Sequence, residues 1–196
     1  WLQVGKDYSV EMLKKFGITT LVEEGDANDL NASALALGGM TKGTTTLEMA
    51  SAFSTFPNNG VRYDTSSFTK VVDKQGNVIL ENKPKEHKVL DEGVAWIMAD
   101  MLSSVVNSAA ANYAQISGVF VGGKTGTTND AFDDWFNGFT PTYSASLWIG
   151  SDYGISLSDH SIIATYMWGN IMRNINKVYD GSRAARPANV ISYNGE

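Results

Sequence analysis

The 196-residue sequence has no cysteine, which excludes disulfide bridges and thiolate metal sites. Histidine is almost as scarce. His87 and His160 are the only two, too few and too far apart in the chain for a zinc site, and no metal or other cofactor is expected. There is no excess of basic residues either: 15 Lys and Arg against 21 Asp and Glu leave a net charge of -6, with no basic cluster, which argues against a nucleic-acid surface. No apolar run approaches the length of a membrane span, no signal peptide opens the chain, and its first residue is Trp1 rather than an initiator Met. Internal repeats and low-complexity blocks are absent as well.

What remains is ordinary globular material, 43% hydrophobic and long enough to bury a sizeable core in one domain. Thr45 and Glu48 have the spacing of a capping box, so a helix is expected to start there and to end near Pro57-Asn58-Asn59-Gly60. The segments Phe68 to Asp73 and Val78 to Leu80 flank Lys74-Gln75-Gly76-Asn77 as in a β-hairpin. Beyond it, Val94, Ile97, Met98, Met101, Leu102 and Val105 recur every three or four residues, which predicts the buried face of a helix. A last helix is expected from about Ser161 to Lys177, with Ile162, Ile163, Tyr166, Met167, Ile171 and Ile175 packing on a sheet. After it periodicity is lost, so residues 1–178 form the expected domain and residues 179–196 a tail or linker.

The richest chemistry lies in Val121-Gly122-Gly123-Lys124-Thr125-Gly126-Thr127-Thr128-Asn129-Asp130. Glycines let a ligand approach the main chain, Lys124 supplies charge-assisted hydrogen bonding, and the Thr125 and Thr127 hydroxyls can donate to a carboxylate. Such a surface suits an anionic acyl substrate. Val119-Phe120-Val121 is expected to be the strand that feeds it, and two further strands follow in Asp134 to Pro141 and Tyr143 to Gly150, as in an antiparallel meander.

With these residues the chain resembles the transpeptidase domain of penicillin-binding proteins, in particular the bifunctional, high-molecular-weight class A. The resemblance runs through Phe16-Gly17-Ile18, Leu35-Ala36-Leu37-Gly38-Gly39, Leu47 to Phe53, Asn58-Asn59-Gly60, Lys70 to Asp73, Lys124 to Asp130 and Trp148-Ile149-Gly150, in the family's order. It implies an α/β (α+β) fold of the β-lactamase/transpeptidase type, an antiparallel sheet flanked by helices, of which this chain is the C-terminal part. The family uses a Ser-x-x-Lys carrying the nucleophile, a Ser-x-Asn and a Lys-Thr-Gly. Only the last is matched here, so the first two are expected in an N-terminal part of the same protein, the principal partner of this chain. That part is also expected to carry the anchor to the bacterial membrane, with the domain on its extracytoplasmic face.

The activity so implied is D,D-transpeptidation of peptidoglycan stem peptides through a serine acyl-enzyme that β-lactams also acylate. Lys124 would supply positive potential and a hydrogen bond to the Ser-x-Asn serine. Thr125 and Thr127 would bind the substrate carboxylate, the Thr127 backbone N-H would serve the oxyanion hole, and Gly126 would keep the strand edge open to an extended peptide. Strict alternation points Lys124 and Thr125 to opposite faces, so these roles require a twisted edge. Asn107 to Asn112 departs from the Gly-Thr-Gly turn most members carry there, a loop that commonly borders the site. A serine β-lactamase or D,D-carboxypeptidase, and a non-catalytic module binding β-lactam or muropeptide, remain as alternatives.

Other candidates carry less. Ser67-Phe68-Thr69-Lys70 fits Ser-x-x-Lys literally, but on a strand residues three apart face opposite ways, so Ser67 is expected to be an ordinary strand-edge hydroxyl. Ser192-Tyr193-Asn194 follows Lys124 in the chain, the wrong order for Ser-x-Asn. Gly39 to Gly43 lacks the Gly-Lys-Ser/Thr ending of a phosphate loop. Asp133 and Asp134 are expected to be solvated turn residues, His87 a solvated loop residue, and His160 a cap or surface residue.

Overall fold

The computed structural model describes residues 2–109, 111–157, 162–175 and 181–193. Five α-helices are described: α1 (Lys6–Lys15), α2 (Ala32–Leu37), α3 (Thr46–Ser54), α4 (Glu92–Val106) and α5 (Ile163–Ile175). The strands are β1 (Val61–Tyr63), β2 (Lys70–Val72), β3 (Val78–Glu81), β4 (Glu86–Lys88), β5 (Gly122–Thr127), β6 (Asp133–Phe139) and β7 (Ser144–Gly150). They pair antiparallel as β1-β4, β2-β3 and a three-stranded sheet in the order β5-β6-β7. The expected mixture of helices and antiparallel sheet, the hairpin and the meander are all present.

The register of the larger sheet sorts its side chains onto two faces, because strand residues alternate. Phe136 pairs with Leu147 and Gly138 with Ala145, and this face packs under α5, where Trp168 meets Phe136 edge-on at 5.1 Å. Trp135 pairs with Trp148 and Asn137 with Ser146 on the opposite face, where Ser144 Oγ donates to Ala50 O of α3 at 2.7 Å. There Phe139 packs with Phe53, Phe56, Phe120, Ala99 and Leu102, so α3 and α4 cover that end of the sheet. Truncating Trp168 to Ala would leave a cavity costing about 3–5 kcal/mol.

Helix α3 starts as its sequence requires. Thr45 Oγ1 accepts from Glu48 N at 3.1 Å and Glu48 Oε2 accepts from Thr45 N at 3.0 Å, a complete capping box. The same carboxylate reaches back to Thr19, accepting from its N-H and its hydroxyl at 2.7 Å each. Burial pushes the Glu48 carboxyl up, but the bonds from Thr19 and Thr45 outweigh it and hold it down at about 2.

Both predicted helix faces are largely overturned: of the residues expected to pack, Leu102 is buried and Val105 and Ile163 are half-buried, but the others are not. On α4 the buried residues are Gly93, Ala95, Ala99, Leu102 and Val106, while Val94, Ile97, Met98 and Met101 are exposed. On α5 the buried residues are Ala164, Thr165, Trp168, Gly169 and Met172, while Ile162, Tyr166, Met167, Ile171 and Ile175 face outward. Each buried face combines small residues, which let the helix approach the sheet closely, with a few large ones, Leu102 and Val106 on α4 and Trp168 and Met172 on α5, while the remaining apolar residues form a second stripe. Ser161 and residues 176–177, the expected ends of the last helix, lie outside the described residues, as do His160 and Asn194.

Three smaller expectations are also corrected. Val119–Val121 is not a strand: the ladder begins at Gly122, and the Phe120 N-H donates instead to Gly181 O at 2.7 Å. His87 is a half-buried residue of β4 whose Nε2 lies 2.7 Å from Asp64 Oδ1, and this contact holds the Asp64 carboxyl below its usual range. Asp134 is not a solvated turn residue. It lies in β6 with 2% of its surface exposed, and its Oδ2 accepts from Ala164 N at 2.9 Å near the start of α5.

Candidate functional site

Strand β5 carries the Lys124-Thr125-Gly126-Thr127 run along one edge of the larger sheet, with no second neighbour among the described residues. In the register with β6, Lys124 faces Asn137, Thr125 faces Phe136, Gly126 faces Trp135 and Thr127 faces Asp134. Alternation therefore holds: Lys124 and Gly126 belong to the face covered by α3, and Thr125 and Thr127 to the face covered by α5. The Lys124 ammonium nevertheless reaches its neighbour, donating to Thr125 O at 2.8 Å and lying 3.4 Å from Thr125 Oγ1. A cation and a hydroxyl thus meet at the strand edge. Gly126 also has a packing reason to be glycine, since an added Cβ would lie 3.3 Å from Trp135 Cβ.

Beneath Lys124 runs a polar row that sequence reasoning missed. Asn137 is 6% exposed, and its Oδ1 accepts from Ser146 Oγ at 2.5 Å. Only the strand register could have placed Asn137 opposite Lys124. Beside that row, Trp135 and Trp148 stand 6.3 Å apart and line a groove of about 570 Å³ together with Gly39, Lys42, Thr45 and Thr128.

The far wall of the groove is held by Asp29. Its fully buried carboxylate accepts from Val22 N at 2.7 Å, Thr41 N at 2.6 Å and Thr41 Oγ1 at 2.7 Å, which fixes residues 38–45 beside the sheet. Burial pushes the Asp29 carboxyl up, but these bonds outweigh it and hold it below the usual range. The near wall is the β5–β6 connection. Asp130 and Ala131 both adopt positive φ, 62° and 53°, and are pinned by Ser156 Oγ to Asp130 O at 2.7 Å and Leu157 N to Ala131 O at 2.8 Å. Asp133 accepts from Trp148 Nε1 at 2.7 Å, which ties the groove's tryptophan to the start of β6.

The remaining sequence candidates stay apart from this edge. Ser67 lies in an exposed bend before β2, and Lys70 is in the strand, so the two do not share a helical turn. Ser192 Oγ accepts from Arg186 Nη1. In the loop at 107–112, of which Ala110 is outside the described residues, Gln115 Nε2 donates to Val106 O and Asn107 Oδ1 at 3.3 Å each. Ala111 is fully buried against the α5 side of the core. Among the described residues no cluster of His, Asp and Glu could hold a metal ion.

An antiparallel sheet between helices, with Lys-Thr-Gly on its open edge strand, defines the class of β-lactamase- and transpeptidase-like proteins. The family description "Penicillin binding protein transpeptidase domain" matches residues 2–151, and the chain belongs to that family. It is 37% identical over 194 residues to penicillin-binding protein 1A of Clostridium botulinum, covering 98% of this chain and 23% of that protein. The chain therefore spans about a quarter of the length of that curated relative. Among solved structures it is similar to penicillin-binding protein 1A from Haemophilus influenzae, with a TM-score of 0.75 at 19% identity over 94% of this chain and 33% of that one. It is similar too to the PonA1 protein from Mycobacterium tuberculosis in complex with penicillin V, with a TM-score of 0.71 at 23% identity over 92% of this chain and 55% of that one.

Proposed function

We propose that this chain supplies the Lys-Thr-Gly side of the active site of a peptidoglycan D,D-transpeptidase. The observation that carries the reading is the open edge of β5, which presents the Lys124 ammonium, the Thr125 hydroxyl and main chain together. A stem peptide ending in D-Ala-D-Ala would lie along that edge as an added strand, its terminal carboxylate on the Thr125 and Thr127 hydroxyls. The attacking serine belongs to a Ser-x-x-Lys in a segment outside this chain. Its oxygen bonds to the carbonyl carbon between the two D-alanines, the oxyanion leans on the Thr127 N-H, and the C-N bond breaks as the departing amine takes a proton. An amine of a neighbouring strand then attacks the ester and returns the proton to the serine. A β-lactam would follow the first half of this path.

In this reading Lys124 is the fixed positive charge beneath the reacting centre and the partner of the Ser-x-Asn serine. The segment carrying both serines would also cover the apolar stripes of α4 and α5 and carry the membrane anchor, with the domain on the extracytoplasmic side. Within the described residues no helix is long and apolar enough to cross a membrane.

The test is to label the full-length protein with fluorescent penicillin and map the adduct by mass spectrometry. The expected result is a single penicilloyl group on a Ser-x-x-Lys serine outside residues 1–196, retained when Ser67 is changed to Ala. An adduct within this chain, or loss of labelling in Ser67→Ala, would overturn the assignment.

A further inference from the structure

Segment 181–190 carries no helix or strand, yet it is bound at both ends and in the middle. At one end Gly181 O takes the Phe120 N-H, and Gly181 lies so close that an added Cβ would stand 2.7 Å from Val119 Cα. At the other, Asn189 Nδ2 donates to Asp91 Oδ1 at 2.8 Å, the carboxylate that caps α4, and Asn189 also closes over Gly93. Between them the Arg183 guanidinium lies 3.4 Å from the centroid of the Trp96 ring and 4.9 Å from that of Phe120. Its Nη1 reaches Asp100 Oδ1 at 2.5 Å and its Nη2 donates to Trp96 O at 2.9 Å. Trp96 Nε1 in turn donates to Ala184 O at 3.2 Å.

These contacts join two elements of different kinds. Trp96 and Asp100 belong to α4, whereas Phe120 belongs to the lead-in that the ladder of β5 does not reach, four residues before Lys124. The entry to a strand edge paired on one side is held by packing of Phe120 and Val121 in the core and, in addition, by groups from after α5. A planar guanidinium is suited to this position because it can stack on two rings while its fork bonds in the ring plane, which an ammonium cannot do. Residues 181–193 also lie beyond residues 2–151, the stretch that matches the family description.

We propose that segment 181–190 is a clasp that sets the position of β5, with Arg183 as its positioning residue, and that the rate of serine acylation depends on it. The catalytic consequence rests on the transpeptidase reading; the clasp itself does not. Loss of the Arg183 contacts leaves Phe120 with its packing on Phe139 and its bond to Gly181 but removes the stack that ties it to α4, lets the entry to β5 shift, and moves Lys124 and Thr127 relative to a nucleophile held elsewhere. A displacement of an ångström or so at such a site costs rate more than it costs initial binding.

The experiment compares Arg183→Gln, Arg183→Lys and Asn189→Ala with the parent in the full-length protein. Amide exchange in peptides spanning residues 119–127 reports the clasp directly. Arg183→Gln should raise exchange there roughly tenfold or more with β6 and β7 unchanged, and Arg183→Lys should recover part of it. Stopped-flow acylation by fluorescent penicillin should show a rate constant reduced roughly tenfold or more, with little change in the preceding non-covalent affinity. Asn189→Ala, which releases only the far end, should give a smaller change in the same direction. Unchanged exchange at 119–127, or an equal rise across the whole sheet, overturns the clasp; raised local exchange with unchanged acylation overturns its catalytic role. A parent protein that penicillin does not acylate would instead defeat the transpeptidase reading and leave the exchange result to decide the clasp.

Discussion

Lys124 on β5 stands directly across the ladder from Asn137 on β6, whose side-chain oxygen holds the Ser146 hydroxyl of β7. The charged residue of the edge is thereby backed by a hydrogen-bonded row rather than by apolar side chains. A flanking row of this kind keeps that part of the sheet face polar.

That row can be tested by a double-mutant cycle. Asn137→Val leaves the Ser146 hydroxyl without its acceptor and should destabilise the full-length domain by about 1–3 kcal/mol. Adding Ser146→Ala should restore most of the loss, because removing both partners costs less than stranding one. Denaturant unfolding would measure both, and additive single effects would show that the pair does not interact.

On the transpeptidase reading, Lys124→Ala should slow acylation by fluorescent penicillin by roughly 10²–10³-fold, the usual consequence of losing a charge that stabilises the transition state, and Thr127→Val should lower the overall efficiency of acylation. Thr127→Val keeps the backbone N-H and removes only the hydroxyl proposed to hold the carboxylate, so its effect should appear mainly as weaker initial binding. Melting temperatures of both variants should stay near the parent's, since Lys124 and Thr127 are exposed.

Glu48 predicts a specific acid sensitivity. Its carboxyl is held at about 2 in the fold against the 4.5 of an unperturbed glutamate, so its contribution is fully present above about pH 4.5 and is lost as the pH falls toward 2. Glu48→Gln should therefore be less stable than the parent at pH 7 and should lose less of its stability between pH 5 and 2. Thermal melts across that range check the sign: a variant with the parent's slope would show that the bonds to Thr19 and Thr45 do not hold the ionised form.

Asp134 predicts the opposite. Burial pushes its carboxyl up, only partly offset by the Ala164 and Ile163 N-H groups, and its Oδ1 has no partner among the described residues. A raised value means that this group favours the fold at pH below the usual carboxylate range and loses that advantage as the pH rises through its own value. Asp134→Asn keeps an oxygen for Ala164 and removes the buried charge, so it should be neutral or stabilising at pH 7 and should lose that benefit near pH 3. Melting curves at both pH values decide it.

The parts of this fold that could be read from the sequence were those specified locally. The capping box at Thr45 and Glu48, the hairpin about Gly76 and the meander from Asp133 to Gly150 each depend on neighbours a few residues away. The faces of α4 and α5 were only partly legible because apolar residues surround both helices, and a three- and four-residue spacing fits more than one face: it included Leu102 but favoured Met98 over Ala99 and Ile171 over Trp168. Asn137 was illegible for another reason, since its place opposite Lys124 is a property of strand register. Arg183 had no periodicity to reveal it. Its contacts with Trp96 and Phe120 join residues dozens of positions apart, and only folding brings them together.

The bond from Phe120 to Gly181 also imposes an order on chain growth. At about 5–20 residues per second, the roughly 60 residues that separate them occupy several seconds of synthesis. Through that interval β5, β6 and β7 can already be complete while the entry to the Lys-Thr-Gly strand still lacks its fastening. The entry to an open edge is thus secured last, and a ribosome that stops short of Gly181 would release a chain with all three described strands of that sheet, the first held by its ladder to β6 and its core packing but without its fastening.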